Sequence, residues 1–203
     1  MARVGNFFIG LLGPLFLGAI LYMFRFDNRA VNDIVQVVLE IILLWLSFRY
    51  FQKSEIDKLR FPTKKQWLIF LVSLVTIFLY SGIYSSVFVL HSQSGTDINN
   101  SLMTDGYQLL LVLSITIFAP LEEELFLRGF IQKGAFKNTW WGIVLTSSIF
   151  SILHGPETFA SFGYYALFGA ILGTAYKKSN NLWVSILCHA GINTIILIVP
   201  LLV

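Results

Sequence analysis

Three consecutive glutamates and an arginine interrupt a chain that is otherwise strongly apolar. They lie in the stretch APLEEELFLRG, residues 119–129, which follows the apolar run LVLSITIF directly. A charged side chain at the centre of a bilayer costs about 2.5 to 3.5 kcal/mol on insertion scales, so such groups face a protein interior or a wet cavity. The fold must therefore shield these charges from lipid, and this stretch is the first place to look for chemistry.

The composition is that of an integral membrane protein. Of the 203 residues, 56% are hydrophobic and only 12% are charged, whereas soluble domains usually carry about 25% charged residues. The formal charge of +3 indicates basic cytoplasmic loops of a polytopic protein, and it does not favour nucleic-acid binding. The single cysteine, Cys188, has no second cysteine with which to form a disulfide or a zinc site.

Seven apolar runs predict an all-α, polytopic bundle of about seven transmembrane helices. About 20 apolar residues are needed to cross the hydrocarbon core, and most of the runs approach that length. They cover residues 7–24, 31–48, 66–90, a run from about 107 into the charged stretch, 140–154, 162–176 and 182–203.

The basic loops predict how the chain is oriented. By the positive-inside rule, the amino terminus and the segments 49–65, 131–139 and 177–181 lie on the cytoplasmic side, with Arg25 and Arg29 as the exceptions. Residues 1–106 then hold about three helices and the basic linker, and residues 107–203 hold the helices around the charged stretch. Together they form one integral membrane domain.

The charged stretch itself allows two interpretations. Proline is tolerated in the first turn of a helix, so Pro120 predicts a helix start or kink that places the glutamates at the positive end of the helix dipole. Glu124 and Arg128 are four residues apart and can form an ion pair, whereas Glu123 points about 100° away. Either the stretch is part of an active site, or it is a buried ion-pair lock or an interfacial turn.

Two further constellations favour the active site. Phe150 and His154 share a face in FSILHGP, where Gly155 and Pro156 stop the helix, and HAGIN places His189 and Asn193 four residues apart. At about 1.5 Å per residue, these side chains and the glutamates can all reach mid-depth in a core about 30 Å thick. We therefore expect the site in a cavity between the fourth, fifth and last helices.

The order EExxxR, FxxxH and HxxxN, each on an apolar segment, resembles the CPBP intramembrane proteases. This family comprises the CAAX prenyl endopeptidases of the Ras-converting type and bacterial relatives linked to bacteriocin processing and self-immunity. The resemblance covers about residues 107–198. It implies the following candidate catalytic residues: Glu123, Glu124, Arg128, His154, His189 and Asn193.

The resemblance also implies a role for each residue. Glu123 would be the general base that activates a water, with His154 helping to position and polarise that water. His189 and Asn193 would donate to the oxyanion of the tetrahedral intermediate, and the neighbouring ion pair would hold the site or the substrate backbone in place. The implied activity is an intramembrane endopeptidase acting on a membrane-associated peptide or protein.

Neither a metal nor another cofactor is expected. Two glutamates and two histidines could ligate zinc, which remains the less favoured alternative, but the motif HExxH is absent. The expected partners are the peptide substrate and the lipid bilayer, with no nucleic acid and with the oligomeric state left open. The expected location is a cell membrane, as a multi-pass protein of the bacterial plasma membrane.

Two other functions use the same residues. A non-catalytic immunity factor or scaffold could bind a bacteriocin or another membrane partner through them, and a proton or ion transporter could use the same buried groups. The identity of the substrate, its cleavage site and the side to which the cavity opens are left open by the sequence.

Overall fold

The computed structural model describes residues 2–198, which form eight helices and no β-strand. The last five residues of the seventh predicted span, 199–203, lie outside the described residues. In chain order the helices are α1 Ala2–Met23, α2 Arg29–Lys53, α3 Lys64–Val87, α4 Gln93–Asp105, α5 from 109 to 135, α6 Trp140–Leu153, α7 Phe159–Ser179 and α8 Leu182–Ile198.

Polar residues at the ends of the apolar runs determine where several helices begin. A side-chain oxygen that accepts a hydrogen bond from a backbone amide in the first turn satisfies one of the helix's unpaired donors. At α3, Thr63 and Gln66 exchange two such bonds in a capping box. The side-chain N-caps of the other spanning helices are Asn28 for α2, Thr139 for α6 and Thr158 for α7.

The predicted basic loops meet at one end of the bundle. Lys133 Nζ lies 2.7 Å from Asp57 Oδ1 and donates to Asn180 Oδ1 at 3.0 Å. Asn181 Nδ2 donates to the carbonyl of Arg60 at 2.9 Å. These contacts join the segments 49–65, 131–139 and 177–181, so they share one end, which we call the basic end.

The opposite end carries α4 and the two arginines that were exceptions to the predicted orientation. Arg29 lies 3.4 Å from Asp105 there, and the backbone of His91 donates to Ser161 Oγ. The described chain therefore crosses between the two ends seven times, through α1, α2, α3, α5, α6, α7 and α8. The predicted all-α polytopic bundle is confirmed, and α1, α2 and α3 are long and apolar enough to span a membrane by length and composition.

Helix α5 lies at the centre of the bundle. Nine consecutive residues, 124–132, are buried on all sides, because α1, α2, α6, α7 and α8 all pack against this helix. Two adjoining clusters of apolar side chains surround it, one around Phe51 and Phe130 and the other around Leu127 and Phe150. The charged stretch is therefore shielded from lipid by protein, as its charges require.

The helix start predicted at Pro120 is wrong. Helix α5 runs without interruption through Leu109–Leu113, Ser114–Phe118, Ala119–Glu123 and Glu124–Ala135, and the second and fourth segments are π-helical. Residues 118 and 119 keep helical backbone angles. Proline has no amide hydrogen to offer the preceding turn, and the wide turn of the π-helix accommodates that loss. The glutamates are therefore mid-helix, and the helix dipole does not stabilise them.

Two glycines let α1 approach α5 closely. A Cβ added at Gly10 would lie 2.8 Å from the carbonyl oxygen of Phe126 and would clash with Ile131, and one at Gly13 would enter the Phe126 ring. Gly18 on the same helix has open space around it. Gly10 and Gly13 are therefore required for the close packing of α1 on α5.

We expect Gly10→Ala to lower the free energy of unfolding by about 1 to 3 kcal/mol, because the added methyl group meets a backbone carbonyl that cannot move aside. Gly18→Ala is the matched control, and we expect it to raise stability by up to about 1 kcal/mol, as alanine does in a helix. Thermal unfolding of both variants in the same detergent measures the difference. Equal melting temperatures would contradict the close packing of α1 on α5.

Candidate active site

A buried ion pair joined by a histidine forms the centre of the candidate site. Arg128 Nε lies 3.3 Å from Glu124 Oε2, and both side chains have zero solvent exposure. His189 Nδ1 lies 3.2 Å from the other carboxylate oxygen, Oε1. The ion pair predicted from the four-residue spacing is present, and α8 brings a second motif into direct contact with it.

The guanidinium of Arg128 is held by a backbone carbonyl and an aromatic face. Its Nη2 donates to the carbonyl of Gly169 at 2.9 Å, and the guanidinium carbon lies 5.0 Å from the centre of the Phe150 ring. A Cβ at Gly169 would lie 3.3 Å from Nη2 and 3.1 Å from the Cα of Ser147. Gly169 and Gly173 of α7 form a GxxxG motif, which is common where helices pack closely. Gly169, its first glycine, also leaves space for the side chain of Arg128.

Sequence reasoning missed a third polar residue on the same face of α5. Gln132 is fully buried, and its Nε2 donates to the carbonyl of Gly173 at 2.9 Å and to Asn138 Oδ1 at 2.7 Å. It follows Arg128 by four residues, as Arg128 follows Glu124. That spacing was the available signal, and it extends the polar face from the candidate site to the loop at the basic end.

His154 caps the end of α6 with a defined ring orientation. Its Nδ1 lies 2.8 Å from the carbonyl oxygen of Phe150, and a carbonyl can only accept, so Nδ1 carries the hydrogen. The Tyr165 ring stacks on the imidazole with centroids 4.4 Å apart, and the Phe150 ring lies 4.3 Å away on centroids. In the neutral ring, Nε2 is then the unprotonated nitrogen and a hydrogen-bond acceptor.

A short segment at the start of α4 holds the loop that follows His154 in place. We call residues 91–94 the clasp. The backbone of Gln93 donates to the carbonyl of Gly155 at 2.9 Å, Ser94 Oγ donates to the carbonyl of His154 at 3.2 Å, and Ser92 Oγ lies 2.8 Å from the hydroxyl of Tyr165. Nothing in the sequence of this segment signals a partner 60 residues away.

The two remaining candidates differ in their surroundings. Glu123 has a buried oxygen, Oε2, with no hydrogen-bond partner among the described residues. Asn193 donates from Nδ2 to the carbonyl of Ile115 in α5 at 3.0 Å. The fold thus brings together Glu124, Arg128, His189 and, through Phe150, His154, with Glu123 beside them, whereas Asn193 contacts the α5 backbone.

The surface grooves of the bundle lie apart from the candidate residues. Two surface grooves of about 490 and 580 Å³ lie along α3, and none of the candidate residues lines either of them. Within residues 2–198, no three His, Cys, Asp or Glu side chains are grouped so that they could hold a metal ion. The expectation of a metal-free site stays a prediction.

The fold and the site together define a polytopic helical membrane protein with a charged cluster buried among its helices. Residues 105–195 match the family model described as type II CAAX prenyl endopeptidase, Rce1-like. This segment contains all six candidate residues, and the match confirms the resemblance recognised from the three motifs. No curated protein and no solved structure matches the chain.

The buried ion pair predicts a large effect when one partner is removed. We expect Arg128→Met to lower the free energy of unfolding by about 3 to 5 kcal/mol, because it leaves the Glu124 carboxylate buried without its cation. Adding Glu124→Gln to Arg128→Met should restore part of that loss. Denaturant titration in mixed micelles measures both.

The control for this pair is Arg3→Met, since Arg3 is exposed on α1. A surface substitution of this kind is expected to change stability by less than about 0.5 kcal/mol. An Arg128→Met protein as stable as the Arg3→Met protein would show that the buried pair contributes nothing to the fold.

Proposed function

We propose that this protein is an intramembrane endopeptidase in which Glu123 activates a water molecule for attack on a peptide bond. The observation that carries the proposal is the set of side chains that α5, α6 and α8 bring together at mid-depth. Glu123 has a buried carboxylate oxygen without a hydrogen-bond partner among the described residues, and the ring of His154 is fixed by a carbonyl and a stacked tyrosine. The match of residues 105–195 to an endopeptidase family supports the same reaction class.

The water would lie between Glu123 and His154. Glu123 accepts a proton from it as it attacks the carbonyl carbon, and the unprotonated Nε2 of His154 accepts a second hydrogen bond that orients the water. The carbon–nitrogen bond then breaks, and the leaving nitrogen takes the proton from Glu123. The fixed Nδ1 of His154 supports this role, since it keeps Nε2 free.

Two donors would stabilise the oxyanion of the tetrahedral intermediate. Asn193 has a second amide hydrogen besides the one that it donates to Ile115. His189 already uses Nδ1 towards Glu124, so it donates from Nε2 only as an imidazolium, whose positive charge the Glu124 carboxylate stabilises. Each well-placed donor of this kind contributes about 2.7 to 4 kcal/mol. The pair of Glu124 and Arg128 acts through His189 and holds its ring in place.

The substrate proposed is a membrane-associated peptide or protein, cleaved within or beside the bilayer. Peptide maturation, including that of a bacteriocin, or self-immunity would be the physiological role, in a bacterial plasma membrane. The support is chemical, because a peptide bond presented at mid-depth can reach Glu123 without leaving the membrane. The CAAX tail in the family's description is one member of this substrate class.

We expect Glu123→Gln to lower the rate of peptide cleavage at least 100-fold, because general-base catalysis contributes about 10² to 10⁴. Mass spectrometry of membrane and secreted peptides from cells that carry the wild type or the variant identifies products, and the purified proteins then give the rates. Glu122→Gln is the matched control on the same helix and should retain most of the activity. Cleavage by Glu123→Gln at the wild-type rate would refute the mechanism.

A non-catalytic immunity or scaffold protein is the second candidate. The bonds from His189 to Glu124 and from Asn193 to Ile115 favour it, since they are also what a structural lock between α5 and α8 requires. Cells exposed to a bacteriocin distinguish the two. Protection that survives both Glu123→Gln and His154→Ala would support the scaffold, and protection lost in both would support the protease.

We expect chelators to leave the cleavage rate unchanged within a factor of two, because the proposed reaction uses only side chains and water. Purified protein is assayed before and after dialysis against EDTA and 1,10-phenanthroline. A loss of activity that added zinc restores would overturn metal independence and favour the zinc alternative, whose ligands would be drawn from the glutamates and histidines of the three motifs.

A further inference from the structure

A groove on the lipid-facing side of the bundle lies between α3 and α7, and none of the candidate active-site residues lines it. Its volume is about 490 Å³. The residues along it alternate between apolar side chains and small ones, and they include Leu68, Val72, Thr76, Leu167, Ala170 and Thr174. At about 1.5 Å per residue, the stretch from Leu68 to Thr76 is about 12 Å long.

The groove opens towards the membrane and not towards another part of the described chain. Leu68, Val72 and Leu167 on its walls are each half or more exposed, at 61%, 58% and 50%. Side chains with this exposure meet lipid tails in a membrane-spanning bundle. The occupant must therefore present an apolar chain of at least the length of the groove.

Lysines stand at one mouth of the groove. Lys178 lines it directly, and Lys64 and Lys65 precede Leu68 by four and three residues, so they share its side of α3. All three are exposed. The mouth lies at the basic end of the bundle, where the amino-terminal end of α3 adds the positive end of its helix dipole.

No negative charge offsets these lysines along the two helices. The sequences of α3 and α7, KKQWLIFLVSLVTIFLYSGIYSSV and FASFGYYALFGAILGTAYKKS, contain neither aspartate nor glutamate. Asp57 is a buried carboxylate in the linker before α3. It forms an ion pair with Lys133 and accepts a hydrogen bond from the hydroxyl of Tyr176. The mouth therefore presents a field that favours an anion.

We propose that this groove is a binding site for an anionic phospholipid of the leaflet at the basic end. One acyl chain lies between α3 and α7, from Leu68 towards Thr76, and the phosphate and headgroup contact Lys64, Lys65 and Lys178. Charge complementarity selects the anionic headgroup, and the apolar walls require the chain. The site would act independently of the proposed peptidase activity.

Native mass spectrometry of the full-length protein tests the site. Detergent-purified protein is mixed with equal amounts of palmitoyl-oleoyl phosphatidylglycerol and phosphatidylcholine, and the lipid that stays bound is counted. We expect phosphatidylglycerol to be retained at least tenfold over phosphatidylcholine. Each lysine near an anionic surface is worth about fivefold, the equivalent of about 1 kcal/mol, so the triple change of Lys64, Lys65 and Lys178 to Gln should remove the preference.

Two further variants separate charge from shape. The matched charge control changes Lys53, Lys58 and Lys137 to Gln, three exposed lysines of the basic end that do not line the groove, and it should keep the preference. Ala170→Phe fills the groove without changing charge and should reduce retention of both lipids at least fivefold. If it fails to fold, Thr174→Leu fills the same space.

Equal retention of the two lipids by the wild type would overturn the proposal. An unchanged preference after the change of Lys64, Lys65 and Lys178 would also overturn it, as would unchanged retention after the groove is filled. A preference lost equally in the matched charge control would do so too, because it would assign selectivity to the whole basic end. None of these outcomes depends on peptide cleavage, so a failed peptidase assay leaves the test intact.

Discussion

The fully desolvated pair of Glu124 and Arg128 is the constraint on which the arrangement of the bundle depends. Taking two charges out of water costs several kcal/mol each, and their attraction offsets this only when further hydrogen bonds complete both groups. Here His189 contacts the carboxylate, and the carbonyl of Gly169 and the face of Phe150 hold the guanidinium. Three other helices must therefore approach α5 at one depth, and a Cβ at position 169 would lie only 3.1 Å from the Cα of Ser147.

The length of α6 explains why the histidine at its end lies inside the membrane. Fourteen residues give about 21 Å, shorter than a core of about 30 Å. The exposed pair Trp140 and Trp141 marks the start of the helix, as aromatic residues do at a membrane surface. The chain after His154 then has irregular backbone at membrane depth, which is tolerated only against protein or water. The clasp supplies that protein, through hydrogen bonds to the carbonyls of His154 and Gly155.

Much of this fold could be predicted from the sequence, because hydrophobic length and basic loops depend on local composition. The ion pair could also be predicted from the sequence, since a four-residue spacing brings Glu124 and Arg128 together in either an α-turn or a π-turn. The course of α5 through Pro120 could not be predicted from the sequence. A proline after an apolar run is equally compatible with the start of a new helix, and only the π-helical turn shows that the helix continues. The bond from Ser92 to Tyr165 could not be predicted either, because it depends on a partner distant in the chain.

The clasp lies outside the segment that matches the family model, yet it contacts that segment. The match begins at residue 105, yet Ser92 contacts Tyr165, and Asp57 contacts both Lys133 and Tyr176 across that boundary. The first hundred residues are therefore not an interchangeable membrane anchor, since they hold the geometry of the carboxy-terminal half. A chimera that joined the carboxy-terminal half to the anchor helices of another protein would inherit all three motifs without the contacts that orient them. A substitution that alters these contacts in one half of the chain would have to be matched by a compensating substitution in the other half.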